Sequence, residues 1–198
     1  MVDKVESSDN LRKAIQEEPN APKSIGATLL DDAIGWIKLI VFTVIIAIIL
    51  HQFIIINATV PTASMENTIM TNDRVVAFRL AYMFSEPARY DIIFFRYPGD
   101  KTQIYVKRII GLPGETVNII DGRVYINDSN TPLNDDFVLG PVFGNYPTFH
   151  VPADSFFVLG DNRNNSGDSR DWLDPYVPRG SILGRAIFTW WNSFGFIS

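Results

Sequence analysis

From Ile34 to Ile56 the chain reads IGWIKLIVFTVIIAIILHQFIII, an apolar run in which Lys38 is the only full charge and His51 with Gln52 the polar interruption. About 20 helical residues at 1.5 Å each cross a hydrocarbon layer roughly 30 Å thick, so the run is predicted to be a transmembrane helix. Its outer end admits two readings. The helix can continue to Ile56 with His51 and Gln52 near the interface, where polar groups cost less than at midplane. Alternatively it stops near His51, and Phe53 to Thr59 already belongs to a β-strand, as the run of Ile favours. The second reading is preferred. It places the anchor at residues 34–52 and leaves Lys38 to snorkel at the inner end. A buried core helix or a cleaved signal peptide fits less well, because 33 mostly polar residues with more acids than bases precede the run.

Outward from this span the chain divides in three. Residues 1–33 are mixed in charge, with Pro19 and Pro22 discouraging a packed element, and are expected to form a polar cytoplasmic tail. Lys23 and Lys38 lie close before the span, whereas Arg74 is the first basic residue after it, a slight bias toward an N-terminus inside. Residues 53–198 then carry short apolar runs: VVAF from Val75, DIIFF from Asp91, IYVKRII from Ile104, TVNII from Thr116, RVYI from Arg123, SFFVL from Ser155 and ILGRAIFTW from Ile182. Turn-forming Pro98-Gly99-Asp100, Pro113-Gly114 and Asp121-Gly122 punctuate them, and Asp-Gly between β-branched runs signals a tight hairpin. The expectation is a mainly β domain behind an N-terminal transmembrane helix.

Composition narrows the chemistry. The 198 residues include no cysteine, which excludes thiol catalysis, cysteine-ligated metals and disulfides. A net charge of -5 argues against a nucleic-acid binder. Of the two histidines, His51 lies in or beside the span, so His150 alone is placed for a soluble site, and G-x-S-x-G is absent. His150 is read as a loop histidine packing beside Phe149 and Val151. H-E-x-x-H is missing, and the oxygen-rich loop DNRNNSGDSRD, Asp161 to Asp171, fails the EF-hand spacing because Arg163 falls at a ligand position. No metal and no cofactor are expected. Serine with lysine remains as nucleophile and base. Ser64 follows the span closely, and Lys107 interrupts the apolar strand from Ile104 to Ile110, where alternation puts Tyr105, Lys107 and Ile109 on one face. Burial there would lower the ammonium pKa, while an exposed edge-strand lysine is the plain alternative.

The motifs resemble those of type I signal peptidases, the Ser/Lys proteases that release signal peptides from exported proteins. The similar segments are PTASMENTI from Pro61, DIIFFRYP from Asp91, YVKRIIGLPGE from Tyr105, VLGDNRNNSGDSR from Val158 and GRA from Gly184, in the family's order. The resemblance implies Ser64 as nucleophile and Lys107 as general base, with the Ser64 N–H and the Thr62 hydroxyl stabilising the oxyanion. It further implies Ser166 as the group orienting the lysine and Asp168 with Arg170 as a supporting ion pair. The short interval from Glu115 to Ser155 implies a compact form without a large inserted domain. One departure stands out: where the family continues Ser-Met-x-Pro-Thr, this chain has Asn67, expected to support a turn by a local side-chain bond.

The implied substrates are secretory preproteins with small residues such as Ala-x-Ala before the cleavage site, bound extended beside a strand at the plasma membrane. The implied arrangement is single-pass, with membrane lipid as neighbour, the N-terminus cytoplasmic and the catalytic domain extracytoplasmic. The aromatic segment FTWWNSFGF from Phe188 fits either lipid contact or core packing. Two other readings compete: a self-cleaving Ser/Lys repressor-type peptidase, and a non-catalytic membrane-tethered β binding module.

Overall fold

The computed structural model describes residues 25–197, and the first 24 residues of the expected tail lie outside them. The chain forms two units, residues 1–48 and 49–198. In the first, helix α1 spans Ile25–Ile49, so residues 25–33, expected in the polar tail, are helical. The helical segment Asp32–Ile54, 23 residues, is long and apolar enough to cross a membrane. Such a helix fits a single-pass membrane anchor. Within it Thr43 donates its hydroxyl to the Leu39 carbonyl at 2.8 Å, so the one hydroxyl in an apolar stretch has an acceptor in its own helix.

The span closes in a π turn, Leu50–Ile54, where the Ile55 N–H donates to the Leu50 carbonyl, and strand β1 begins only at Ile55 (Ile55–Thr59). The expected strand start at Phe53 therefore moves outward by two residues. The Ile run is equally apolar in either geometry, so sequence pattern alone could not fix the boundary.

The second unit is built on strands β2 (Arg74–Phe78), β3 (Ile92–Tyr97), β4 (Asp100–Gly111), β5 (Thr116–Ile120), β6 (Arg123–Ile126), β7 (Phe149–His150), β8 (Ser155–Leu159), β9 (Tyr176–Pro178), β10 (Ile182–Trp191) and β11 (Ser193–Phe196). The larger sheet runs β1-β2-β10-β3-β4-β8-β9 with β11 paired to β10, and a small sheet runs β6-β5-β7. The β5–β6 hairpin turns on Asp121 and Gly122, with φ of 48° and 76°. Two consecutive positive φ values are what a type I′ turn requires, and Asp-Gly supplies them at low steric cost.

Three apolar clusters hold the domain. Met65, Ile69, Val75, Phe94 and Ala186 form one beneath the β1–β2 end. A second joins the small sheet to the large one through Val117, Ile119 and Val124 against Ile110, Phe157 and Leu159. The third packs Ile93, Phe95, Ile109 and Phe156 with Tyr105 and Trp172. Thus Tyr105 and Ile109 share a cluster, as alternation along β4 predicts, and Lys107 lies between them with its ammonium 5.8 Å from the Tyr105 ring centre.

Two strand edges decide where a ligand can go. β1 ends the sheet order and pairs only with β2. β4 pairs with β3 along Ile104 to Arg108 and again at Asp100, but its ladder to β8 starts at Arg108 and leaves the preceding residues unpaired on that side. The sheet curls enough for both edges to line one cavity of about 500 Å³.

Candidate active site

Ser64 sits at the centre of a single 3-10 turn, Ala63–Met65, that leaves β1 by way of Pro61 and Thr62. The turn is fixed on its apolar side by Met65 and Ile69, both fully buried. On its polar side Asn162 grips it twice: its backbone N–H donates to the Ser64 carbonyl at 3.1 Å and its Nδ2 donates to the Ala63 carbonyl at 3.1 Å. Being at the start of a helical turn, the Ser64 N–H has no intrahelical acceptor and is free to point at a ligand.

Lys107 approaches from β4. It is 4% exposed, Ser64 is 6% exposed, and Lys107 Nζ donates to Ser64 Oγ at 2.5 Å. Burial pushes the lysine pKa down to about 8, although the nearby Asp168 and Asp161 carboxylates work the other way and favour the charged form. Against the ordinary 10.5, at which roughly one lysine in 3,000 is neutral at pH 7, a value near 8 leaves roughly one in ten neutral. A neutral amine within hydrogen-bond reach of a hydroxyl can take its proton as the oxygen attacks a carbonyl. The lysine is therefore buried beside the serine, and the exposed edge-strand alternative does not hold.

Thr62 caps the turn in an extended conformation and brings its hydroxyl to 3.4 Å from Ser64 Oγ. Ser166 donates its hydroxyl to Asp168 Oδ2 at 2.8 Å, and the hydrogen bond of Lys107 goes to Ser64, so Asp168, whose field favours the lysine's charged form, is the group to which Ser166 is bonded. Asp168 is fully buried and accepts from Arg170 at both oxygens, from Nε at 2.8 Å and Nη2 at 2.9 Å, and from the Gly160 N–H at 3.0 Å. The Asp168–Arg170 pair thus braces the 160–170 loop behind the lysine.

Several groups escaped sequence reasoning. Arg108, beside Lys107, points away from it and forks onto Asp161 through Nε at 2.9 Å and Nη2 at 2.8 Å, while Thr68 donates to the same carboxylate at 2.5 Å. This buried pair joins β4, the nucleophile turn and the 160–170 loop. Together with Asp168–Arg170 it commits the loop's two buried acids to arginines, which explains an oxygen-rich loop without metal-binding spacing; among the described residues no cluster could hold a metal. Gly160 carries no side chain because a Cβ there would strike Ser166 Oγ and the Ser64 carbonyl. The Asp-x-x-x-x-x-x-Asp spacing of the loop was visible in sequence; its pairing with Arg108, 53 residues away, was not.

His150 lies in β7, paired with Thr116 and with its Nδ1 3.2 Å from the Thr116 hydroxyl, outside this constellation. Asn67 does make a side-chain bond, but not the local one expected: its Nδ2 donates to the Phe137 carbonyl at 2.8 Å, 70 residues on.

The cavity lies directly against the Ser64–Lys107 pair. Ile56 and Ala58 of β1 and Phe94, Val106 and Leu183 supply its apolar walls, and Ser64 and Lys107 close one end. A serine oxygen, a partly neutral amine and an apolar trench between two free strand edges can together hold an extended peptide and attack its backbone.

Comparison with known proteins agrees. The family model described as signal peptidase, peptidase S26, matches residues 33–191. The chain is 41% identical over 163 residues to the signal peptidase I of Leptolyngbya laminosa, covering 78% of each protein. It is 38% identical over 160 residues to the probable signal peptidase I-2 of Synechocystis sp., covering 78% of this chain and 71% of that one. With the signal peptidase I of Rickettsia typhi the identity is 32% over 206 aligned positions, covering 77% and 78%. On this footing the chain belongs to the peptidase S26 family of signal peptidases, serine endopeptidases of the Ser/Lys type.

Proposed function

We propose that this chain removes signal peptides from secretory preproteins at the outer face of the plasma membrane, with Ser64 as nucleophile and Lys107 as general base. The observation that carries the reading is the buried 2.5 Å contact between Lys107 Nζ and Ser64 Oγ at the end of the cavity. The preprotein lies extended between the free edges of β1 and β4, adding main-chain hydrogen bonds to both. Ile56, Ala58 and Val106 line the cavity with apolar side chains, and the Ala-x-Ala preference is carried over from the family resemblance.

In the acylation step neutral Lys107 takes the Ser64 proton while Oγ forms a bond to the scissile carbonyl carbon. The carbonyl pair moves onto oxygen, where the Ser64 N–H and the Thr62 hydroxyl meet the developing charge. Collapse of this intermediate breaks the C–N bond, and the Lys107 ammonium returns its proton to the leaving amine. An ester on Ser64 remains. Water then attacks the ester carbon as neutral Lys107 takes its proton; the C–Oγ bond breaks, the Lys107 ammonium returns the proton to Ser64 Oγ, and the signal peptide leaves with a new carboxyl terminus. Ser166, whose own proton is directed to Asp168, offers a lone pair to the ammonium when Ser64 turns to substrate.

In this reading the N-terminal tail is cytoplasmic, the helical segment Asp32–Ile54 is the anchor, and the domain from Ile55 onward acts outside. A signal sequence already in the bilayer presents its cleavage site at the same interface, so encounter needs little intrinsic affinity. The test uses the full chain in detergent micelles and a preprotein with Ala at both recognition positions. Wild type should release mature protein and Ser64→Ala should not; equal yields from the two would remove the protease reading. In sealed vesicles, a protease added on the lumenal-equivalent side should digest the 53–198 domain, and protection there would reverse the topology.

A further inference from the structure

The residues just after the nucleophile, Met65 to Thr68, form a β-turn closed by the Thr68 N–H donating to the Met65 carbonyl at 3.1 Å. Glu66 has φ −57° and ψ 149°, and Asn67 has φ 89°. These are type II values, and that turn needs a positive φ at its third residue, which glycine and asparagine tolerate best. A proline, locked near −65°, cannot occupy it.

Conformation alone would be met by glycine. Asparagine adds a donor, used on the Phe137 carbonyl at 2.8 Å. Phe137 is itself held on two sides. Its ring meets Tyr90 edge-on with centroids 5.6 Å apart and lies 4.0 Å below the Arg108 guanidinium. Arg108 in turn is forked onto Asp161, which accepts from Thr68 of the same turn. A closed loop of contacts therefore runs from Asn67 through Phe137, Arg108 and Asp161 back to Thr68.

We propose that Asn67 is a positioning residue: its left-handed backbone and its bond to Phe137 tie the nucleophile turn to the 132–147 segment and hold Ser64 Oγ in line with Lys107. The inference rests on Ser64 being the nucleophile. Met65 and Ile69 anchor the turn from below and Asn162 grips its start, whereas the Asn67 side chain ties its outer corner to Phe137. A misplacement of about 1 Å at a reacting atom costs on the order of a hundredfold in rate, so losing one of several restraints should cost about tenfold.

The experiment compares wild type, Asn67→Gly, Asn67→Asp, Asn67→Pro and Ser64→Ala, each as full chain in detergent, on the Ala-bearing preprotein. kcat and KM are measured well below each melting temperature and normalised to the folded fraction from circular dichroism. Asn67→Gly keeps the turn but removes the donor; kcat should fall about tenfold with KM within about twofold. Asn67→Asp should lose at least as much, since its carboxylate faces a carbonyl. Asn67→Pro should be worse than either, and if it fails to fold the other two decide. Wild-type kcat in both Asn67→Gly and Asn67→Asp, or a loss that vanishes on correction for folded fraction, would overturn the inference while inactive Ser64→Ala keeps the nucleophile assignment. Active Ser64→Ala would overturn both.

Discussion

Replacing Lys107 by methionine should make the protein more stable while removing its activity. The lysine is 4% exposed, and its pKa near 8 against an ordinary 10.5 means that the folded protein disfavours the charged form by about 3 kcal/mol. Between pH 8 and 10.5 the unfolded chain binds more protons than the folded one, so this penalty is complete below pH 8 and fades as the pH rises through 10.5. Methionine matches the aliphatic stem and carries no charge, but it gives up the hydrogen bond to Ser64, worth about 1 kcal/mol. The net expectation at pH 7 is a gain of about 2 kcal/mol, or roughly 4 to 8 °C in melting temperature for a domain of this size. At pH 10 less than about 1 kcal/mol of the penalty remains, and the two proteins should melt together. Near-ultraviolet circular dichroism of wild type and Lys107→Met in micelles at both pH values measures the difference, and preprotein cleavage at pH 7 should be almost abolished. A methionine variant less stable than wild type at pH 7, or one with the same advantage at both pH values, would refute the account of a lysine held partly neutral by burial.

Other perturbations report on neighbouring parts. The cleavage rate should rise with pH through about 8 as Lys107 loses its proton, and a flat profile from pH 6 to 9 would speak against the lysine base. Asp168→Asn removes the leading carboxylate that favours the Lys107 ammonium, so the midpoint of that profile should move to lower pH; the orphaned Arg170 should cost about 3 to 5 kcal/mol in a denaturant titration. Gly160→Ala places a methyl against Ser166 Oγ and the Ser64 carbonyl and should lower kcat by more than about tenfold, read by preprotein cleavage. Gly122→Ala, in the distant hairpin, meets the Val142 carbonyl at a φ of 76° and should cost about 1 to 3 kcal/mol with kcat unchanged.

Strands with their own periodicity were legible before any coordinates. β5, β6 and β8 coincide with TVNII, RVYI and SFFVL, β4 and β10 contain their expected runs, and β3 takes in all of DIIFF but Asp91, because each buries enough apolar surface to declare itself. β7 and β9 did not, since two or three residues make no period, and β11 alternates exposed and half-buried positions at the sheet's margin; these strands depend on a ladder partner such as Val117 for Phe149. In the aromatic end of the chain Trp191, Phe194 and Phe196 are exposed and Phe188 and Trp190 half-buried, so none of these rings is a core residue. In the candidate site, Lys107 drew notice as a charge interrupting an apolar strand, and the resemblance of the ordered motifs singled out Ser64 with it. Asn162 and Phe137 were not, because their parts depend on backbone atoms 70 to 99 residues away, to which no side-chain pattern points.

The unpaired stretch of β4 ahead of Arg108 bears on what the enzyme leaves alone. Main-chain hydrogen bonds along an open edge do not distinguish one side chain from another, so under the proposed function preproteins of very different sequence could use the same trench. The same bonds demand a guest whose own N–H and C=O groups are still unengaged. A strand already in a sheet, or a helix, has spent them. Under the proposed function such an edge would discriminate by folding history, sparing mature domains that have already folded whatever residues they carry.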